Sequence, residues 1–341
     1  MAGKVKLAIN WAAACGGCDV AILDIEGALL EVAELVEFVY WPVAMDFKRS
    51  ALRELAPGSV DVGVFNGAVR TAEQEEDALL MREKCRVLVA CGSCACFGGI
   101  PGLANVADRG ALLDTVYART ASTDNPDNAR PDWESGGLPE LQHTVRALHQ
   151  VTDVDLFLPG CPPTPERVMD LVALVRGLAA GEPPPPTGTV LASSRALCEE
   201  CPRGGTRRRR PVERFVRVHQ VAPGADDGSC LLDQGIACAG VATRGGCGAR
   251  CIGVRMPCRG CFGPLPRQLD PAAELTSALA VLPGPRGDWE MPVHQIVNPA
   301  RSIPDPLGTL YRFTYPVSLA IRPTSPDSPG RRTLKAGGND G

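Results

Sequence analysis

The chain carries 15 cysteines against only 4 histidines, so any metal it binds must be held mainly by thiolates. In the N-terminal half, Cys15 and Cys18 form the run CGGC. Cys91, Cys94 and Cys96 share CGSCACFGGIPG, and Cys161 lies in LPGCPPTPE. Four thiolates drawn from such loops can hold a cubane [4Fe–4S] cluster. Spacing alone leaves Cys91 and Cys96 open as alternatives to Cys94. Gly16 and Gly17 allow backbone N–H groups close to the sulfurs, and Asp19 opens a helix whose N-terminus stabilises nearby thiolate charge. Pro159, Pro162 and Pro163 stiffen the loop around Cys161. Cys85 reads as core filling.

A second constellation lies further on: Cys198, Cys201, Cys230, Cys238, Cys247, Cys251, Cys258 and Cys261. Eight ligands make two quartets. The simplest sequential grouping joins Cys198, Cys201, Cys230 and Cys238, and separately Cys247, Cys251, Cys258 and Cys261. Zinc is the rival, because paired CxxC runs also build zinc ribbons in a structural or interaction module. The glycine-rich setting of ATRGGCGARCIGVRMPCRGC suits larger clusters better than compact zinc knuckles.

These residues need a scaffold, and the first half of the sequence supplies one. Strands are predicted at Lys4–Trp11, Val36–Tyr40, Val60–Asn66, Arg86–Ala90 and Val154–Leu158. Helices are predicted at Asp19–Ala33, Thr71–Lys84, Leu138–Gln150 and Thr164–Leu178, with Thr71 and Gln74 placed as a capping box. The alternation predicts an α/β domain, a flavodoxin-like doubly wound parallel sheet. Each N-terminal cysteine loop follows a strand, so all would meet at the carboxyl ends of the sheet, where ligands bind.

Residues 1–180 are expected to form this domain, with 108–137 a surface insertion and 181–189 a proline-rich linker. Residues 190–265 have poor hydrophobic periodicity and are expected to take their order from bound metal. Residues 266–324 read as an extension packing on the core or on a partner, and 325–341 as a disordered tail. The quartet at 207–210 reads as a solvated loop, or as a docking patch for an acidic partner.

The 341 residues carry a formal net charge of -4, against a dedicated nucleic-acid binder. No apolar run reaches the length of a membrane span, and the first residues lack a secretory or twin-Arg address. The expected location is cytoplasmic, where a disulfide framework is disfavoured.

The motifs CGGCD, GSCACFGGIPGLAN, LPGCPPTPE and CLLDQGIACAGVATRGGCGARCIGVRMPCRGCFGP together resemble the small, electron-transferring subunit of [NiFe]-hydrogenases, over roughly residues 4–265. The nearest resemblance is to the cytoplasmic F420-non-reducing, methyl-viologen-reducing type. It implies three [4Fe–4S] clusters: a proximal one on Cys15, Cys18, Cys94 and Cys161, a medial one on Cys247, Cys251, Cys258 and Cys261, and a distal one on Cys198, Cys201, Cys230 and Cys238. Cys94 is selected over its neighbours because it occupies the family's G-[ST]-C-A position. Two positions depart from the periplasmic uptake enzymes: Cys198 stands where those have a histidine, and Cys251 adds a fourth thiolate where their medial cluster has three irons. The resemblance further implies a partner large subunit bearing the Ni–Fe centre, and an iron–sulfur or flavin acceptor subunit of heterodisulfide-reductase type. The small subunit of F420-reducing hydrogenases shares the plan. The 20-kDa subunit of NADH:quinone oxidoreductase shares only the proximal-cluster domain.

Overall fold

A computed structural model describes residues 4–135, 137–208, 212–280, 282 and 299–320. The predicted tail at 325–341 and the residues at 209 and 210 of the arginine quartet lie outside the described residues. The chain divides into two compact units, 1–191 with 315–341, and 192–314.

The first unit has strands β1 (Val5–Trp11), β2 (Val36–Tyr40), β3 (Val60–Asn66), β4 (Val69–Thr71), β5 (Cys85–Cys91), β6 (Leu141–Arg146), β7 (Leu156–Leu158) and β8 (Thr189–Val190). Six of them form one sheet in the order β2-β1-β3-β5-β7-β8, with every neighbouring pair parallel. This is the flavodoxin-like order, and the expected fold class is observed. Both faces of the sheet are buried, so its central strands read as continuous apolar runs rather than alternating ones. Leu7, Ile9, Val62, Val64, Val87 and Val89 pack on one face, beneath helices α1 (Gly17–Leu23) and α2 (Ala28–Leu35) and residues Val168, Leu171 and Val175. Ala8, Leu88, Ala90 and Phe157 pack on the other, with Leu52 of α3 (Arg49–Glu54) and Met81 of α4 (Ala72–Lys84). Short α5 (Gly92–Phe97) follows β5 directly, half-buried α6 (Arg109–Asp114) opens the insertion, and α7 (Pro165–Ala179) covers the first face.

Four expectations are corrected. The helix at 19–33 is two helices, interrupted where Glu26 takes φ 51° ahead of Gly27. The helix at 138–150 is instead β6 followed by a 3-10 turn, Leu148–Gln150. Tertiary partners override the helical pattern there: β6 pairs antiparallel with β4, and the buried Asn105 side chain bonds the Val145 N–H at 2.7 Å and its carbonyl at 2.9 Å. The strand at 154–158 is confined to β7. Thr189, placed in the linker, begins β8, whose pairing with β7 keeps the chain in the first unit to Leu191.

The second unit contains α8 (Arg250–Gly253), α9 (Pro271–Ala280) and α10 (Pro306–Leu310), and its other described elements are short 3-10 turns. It is not held by cysteines alone. Leu197, Phe215, Leu231, Ile236, Ile252, Leu275, Leu279 and Ile303 form a buried apolar cluster that also contains Cys238 and Cys258. Periodicity hid this core because its residues sit on short turns rather than on long faces. Residues 271–280 belong to it, and Tyr315–Val317 returns to the first unit, where Gln150 Nε2 donates to the Pro316 carbonyl at 2.9 Å.

Candidate iron–sulfur centres

Because β1, β5 and β7 are parallel, their following loops emerge at one end of the sheet. After β1 the chain is pinned by paired backbone bonds between Ala13 and Ala68, both 3.0 Å, and then reaches the exposed Cys15. Gly16 takes φ 84° to open α1, the Gly17 N–H points at Cys15 Sγ at 3.4 Å, and Cys18 is buried one residue further. Cys94 lies on α5, and the exposed Cys161 follows β7. The Ser93 N–H and hydroxyl both donate to the Gly160 carbonyl, at 2.7 and 2.8 Å, which ties the Cys161 loop to α5. The Cys94 thiol is within electrostatic reach of Cys161, Cys18 and Cys15, so the structure brings these four together.

Two glycines make that approach possible. A Cβ on Gly92 (φ 80°) would stand 2.3 Å from Cys18 Sγ, and one on Gly99 (φ 58°) would stand 2.5 Å from Cys94 Sγ. Neither position tolerates a side chain.

The other three cysteines of this half have different surroundings. Cys85 is buried under Gly63, and Cys96 is buried with its thiol donating to the Ala90 carbonyl at 3.2 Å. Cys91 is buried in the same apolar cluster as Cys18. Asp19 is not a surface helix-opener: it is buried and accepts from Trp41 Nε1 at 3.0 Å and Asn66 Nδ2 at 2.9 Å. Those partners come from distant segments, and no local pattern announces them.

In the second unit, Cys198 lies within reach of Cys238, Cys201 and Cys230. Cys258 lies within reach of Cys238, Cys261 and Cys247, and Cys247 within reach of Cys251. Cys258 thus lies beside a cysteine of each sequential grouping, and the Ala239 N–H donates to its carbonyl at 3.0 Å. Backbone N–H groups point at the sulfurs, from Arg203 to Cys201 and from Gly260 to Cys258, each at 3.4 Å. The loop bearing Cys230 is held by Arg203, whose guanidinium makes two bonds to Asp226, at 2.6 and 2.8 Å. Glu200, inside CEEC, accepts from the Gly246 and Cys247 N–H groups at 2.9 and 3.2 Å. One quartet's motif thereby braces the other quartet's loop, a role that spacing did not reveal.

Burial pushes the Cys94 and Cys198 thiols up to about 12, with the neighbouring cysteines adding to it, and also raises Cys258 well above the ordinary thiol value. Such thiols keep their protons until a metal displaces them, so loading the sites must release protons. Among the described residues, no three His, Cys, Asp or Glu side chains gather tightly enough to hold a single metal ion. A mononuclear zinc site needs its sulfurs about 2.3 Å from one point, whereas thiolates around a cubane sit on separate corners. Four thiols, inward-pointing N–H groups and glycines where the sulfurs need room form a donor set that fits an iron–sulfur cluster.

The family model described as "NADH ubiquinone oxidoreductase, 20 Kd subunit" matches residues 15–175. The chain is 35% identical over 323 residues to a subunit of the F420-non-reducing hydrogenase of Methanothermobacter marburgensis, covering 94% of this chain and 97% of that one. It is 37% identical over 286 residues to the iron-sulfur subunit of the F420-non-reducing hydrogenase of Archaeoglobus profundus, covering 81% and 87%. Among solved structures, a chain of the Dm. baculatum [NiFeSe]-hydrogenase aligns with a TM-score of 0.51 at 18% identity, over 77% of this chain and 95% of that one, a likeness of fold. The chain belongs to the family of F420-non-reducing hydrogenase iron-sulfur subunits, and is an oxidoreductase subunit.

Proposed function

We propose that this chain conducts electrons from H2, oxidised at the Ni–Fe centre of a partner large subunit, through three [4Fe–4S] clusters to an acceptor subunit. Cys15, Cys18, Cys94 and Cys161 would hold the proximal cluster, Cys247, Cys251, Cys258 and Cys261 the medial one, and Cys198, Cys201, Cys230 and Cys238 the distal one. The observation that supports this reading is that Cys94 lies in reach of Cys15, Cys18 and Cys161, which come from three separate loops. When bound, such clusters accept and pass single electrons at potentials set by charge, burial and hydrogen bonds to sulfur. The chain's own residues hold the thiolates rigidly, aim N–H groups at them and exclude water from Cys18, Cys238 and Cys258.

Exposed Trp11, Val20 and Ile100 adjoin the proximal cysteine loops, each about half in solvent. Apolar exposure of this kind suits a contact with the large subunit. The acceptor is proposed to be an iron–sulfur or flavin subunit of heterodisulfide-reductase type. A fully thiolate-ligated set carries more negative charge and favours low potentials. Among the described residues no helix is long and apolar enough to cross a membrane. The proposed location is the cytoplasm.

The test is anaerobic purification with the accompanying subunits, followed by metal analysis and EPR of the H2-reduced sample. The expected result is about 12 Fe per chain, interacting reduced-cluster signals, and nickel confined to the larger subunit. Iron near four with zinc in the second unit, or H2 oxidation by this chain alone, would overturn it.

A further inference from the structure

The CGGC loop is closed by one residue. Asn66, the last residue of β3, is fully buried, and its backbone is paired with Trp11 of β1 on one side and Cys91 of β5 on the other. Its carbonyl accepts from the Ala12 N–H at 2.9 Å, ahead of Cys15. Its Nδ2 donates to Asp19 Oδ2 at 2.9 Å, directly after Cys18. The other Asp19 oxygen accepts at 3.0 Å from Nε1 of Trp41, the residue that follows β2. Asp19 and Trp41 are each 3% exposed. A buried carboxylate is costly unless its oxygens are hydrogen-bonded, and here both are.

Asp19 gives neither oxygen to its own helix. α1 has seven residues, and Gly16 opens it without a side-chain cap, so the first turn takes its place from outside. Cys18 is on that turn and has little slack: a Cβ on Gly92 would stand 2.3 Å from its Sγ. A small shift of α1 would press the sulfur into the start of α5 or draw it out of its seat. We propose that Asp19 is a positioning residue for the proximal cluster: its carboxylate clamps the first turn of α1 to the ends of β2 and β3 and so sets where Cys18 Sγ stands. That role rests on the ligand role proposed for Cys18. The clamp is made of directed hydrogen bonds, so Asp19→Asn can remake it. The new amide accepts from Trp41 Nε1 and donates to Asn66 Oδ1, which is buried without a partner and faces position 19 once the Asn66 amide turns over.

The experiment uses the complex purified anaerobically with its partner subunits, as wild type and as the Asp19→Ala, Asp19→Asn and Trp41→Phe variants. Three quantities are read: iron per chain, the EPR spectrum of each reduced cluster, and the rate at which a chelator extracts iron. Limited proteolysis of the first unit reports folding separately. Asp19→Ala should lose about four irons per chain and the proximal signal, with the other two signals kept. Asp19→Asn should keep both the iron and the signal. Trp41→Phe keeps an aromatic ring and one bond of the clamp. It should retain the iron, shift the proximal spectrum and release proximal iron about tenfold faster, as expected for one lost hydrogen bond to a charged group. Full iron with a wild-type proximal spectrum in Asp19→Ala overturns the clamp. So does loss of the cluster in Asp19→Asn, which would make the charge the cause. If Asp19→Ala is digested where wild type is not, Trp41→Phe decides: a wild-type spectrum and release rate there would leave Asp19 purely structural and overturn its positioning role. If the wild type shows no four-iron signal that disappears in Cys94→Ser, the ligand role of Cys18 fails and the clamp with it, a result distinct from any of these.

Discussion

The two units solve one problem, the placement of thiols, by opposite means. In the first, Cys15, Cys94 and Cys161 follow β1, β5 and β7, and a parallel ladder with an apolar core on each face sets where those loops begin. Of the four cysteines proposed as ligands there, only Cys18 belongs to those cores, while Cys15 and Cys161 are exposed and Cys94 is half-buried. In the second, no strand ladder intervenes among the described residues. Cys230 and Cys238 precede 3-10 turns, and Cys238 and Cys258 are themselves members of the apolar cluster. There five of the eight proposed ligands lie in or against the core, so positioning and stability share residues. Metal binding should therefore act mainly as function in the first unit and as folding energy in the second.

The largest expected effect tests that contrast directly. Cys94→Ser should remove about four irons per chain while leaving the first unit as resistant to limited proteolysis as wild type. Cys258→Ser should also lose about four irons, and should in addition open residues 192–314 to protease. Structural metal sites contribute on the order of 10 kcal/mol, more than a small core usually supplies. If the second unit stays resistant in Cys258→Ser, the cluster built on Leu231, Ile236, Leu275 and Leu279 holds it alone, and the contrast collapses.

The same contrast explains what was legible in the sequence. β1, β3 and β5 could be read because parallel strands buried on both faces leave continuous apolar runs. The start of α4 was equally legible: its capping box is formed, with Gln74 N–H donating to Thr71 Oγ1 at 3.2 Å and the Thr71 N–H to Gln74 Oε1 at 3.1 Å. Where local and tertiary preferences disagree, legibility fails. Leu138–Gln150 carries a helical pattern, yet Asn105 and β4 impose a strand. In the second unit the core could not be read, because 3-10 turns leave no period to read. Asp19 and Glu200 were visible as residue types, while their partners lie in segments that only the fold brings near.

A smaller effect is expected at Asn105, a strictly structural part of the first unit. Its side chain satisfies both the N–H and the carbonyl of Val145 in a buried setting. Asn105→Ala orphans both groups, at a cost of about 2–4 kcal/mol. Denaturant unfolding should show that loss, with the iron content and cluster spectra of the folded protein unchanged. A loss of proximal iron in Asn105→Ala would mean that scaffold and site are not separable even here.

The smallest expected effect concerns pH and is confined to the first unit. His149 stacks edge-on against Phe157, with ring centroids 5.8 Å apart, and its Nδ1 is buried without a hydrogen-bond partner. Burial lowers its pKa from 6.5 to about 4, against a weaker opposing contribution from the Cys96 backbone. Between those values the unfolded chain binds the proton and the folded one does not, so stability rises with pH across the window. The contribution is complete above about pH 6.5 and is lost as the pH falls toward about 4, with a ceiling of about 3 kcal/mol because solvent still reaches part of the side chain. Comparing wild type with His149→Gln isolates this contribution, since acid lability of the clusters affects both alike. From about pH 7 to about pH 5, wild type should lose about 1–2 kcal/mol more than the variant in denaturant unfolding. Equal losses would show that the ring titrates in the folded protein as it does in water, and that this face of the sheet is more open than its packing indicates.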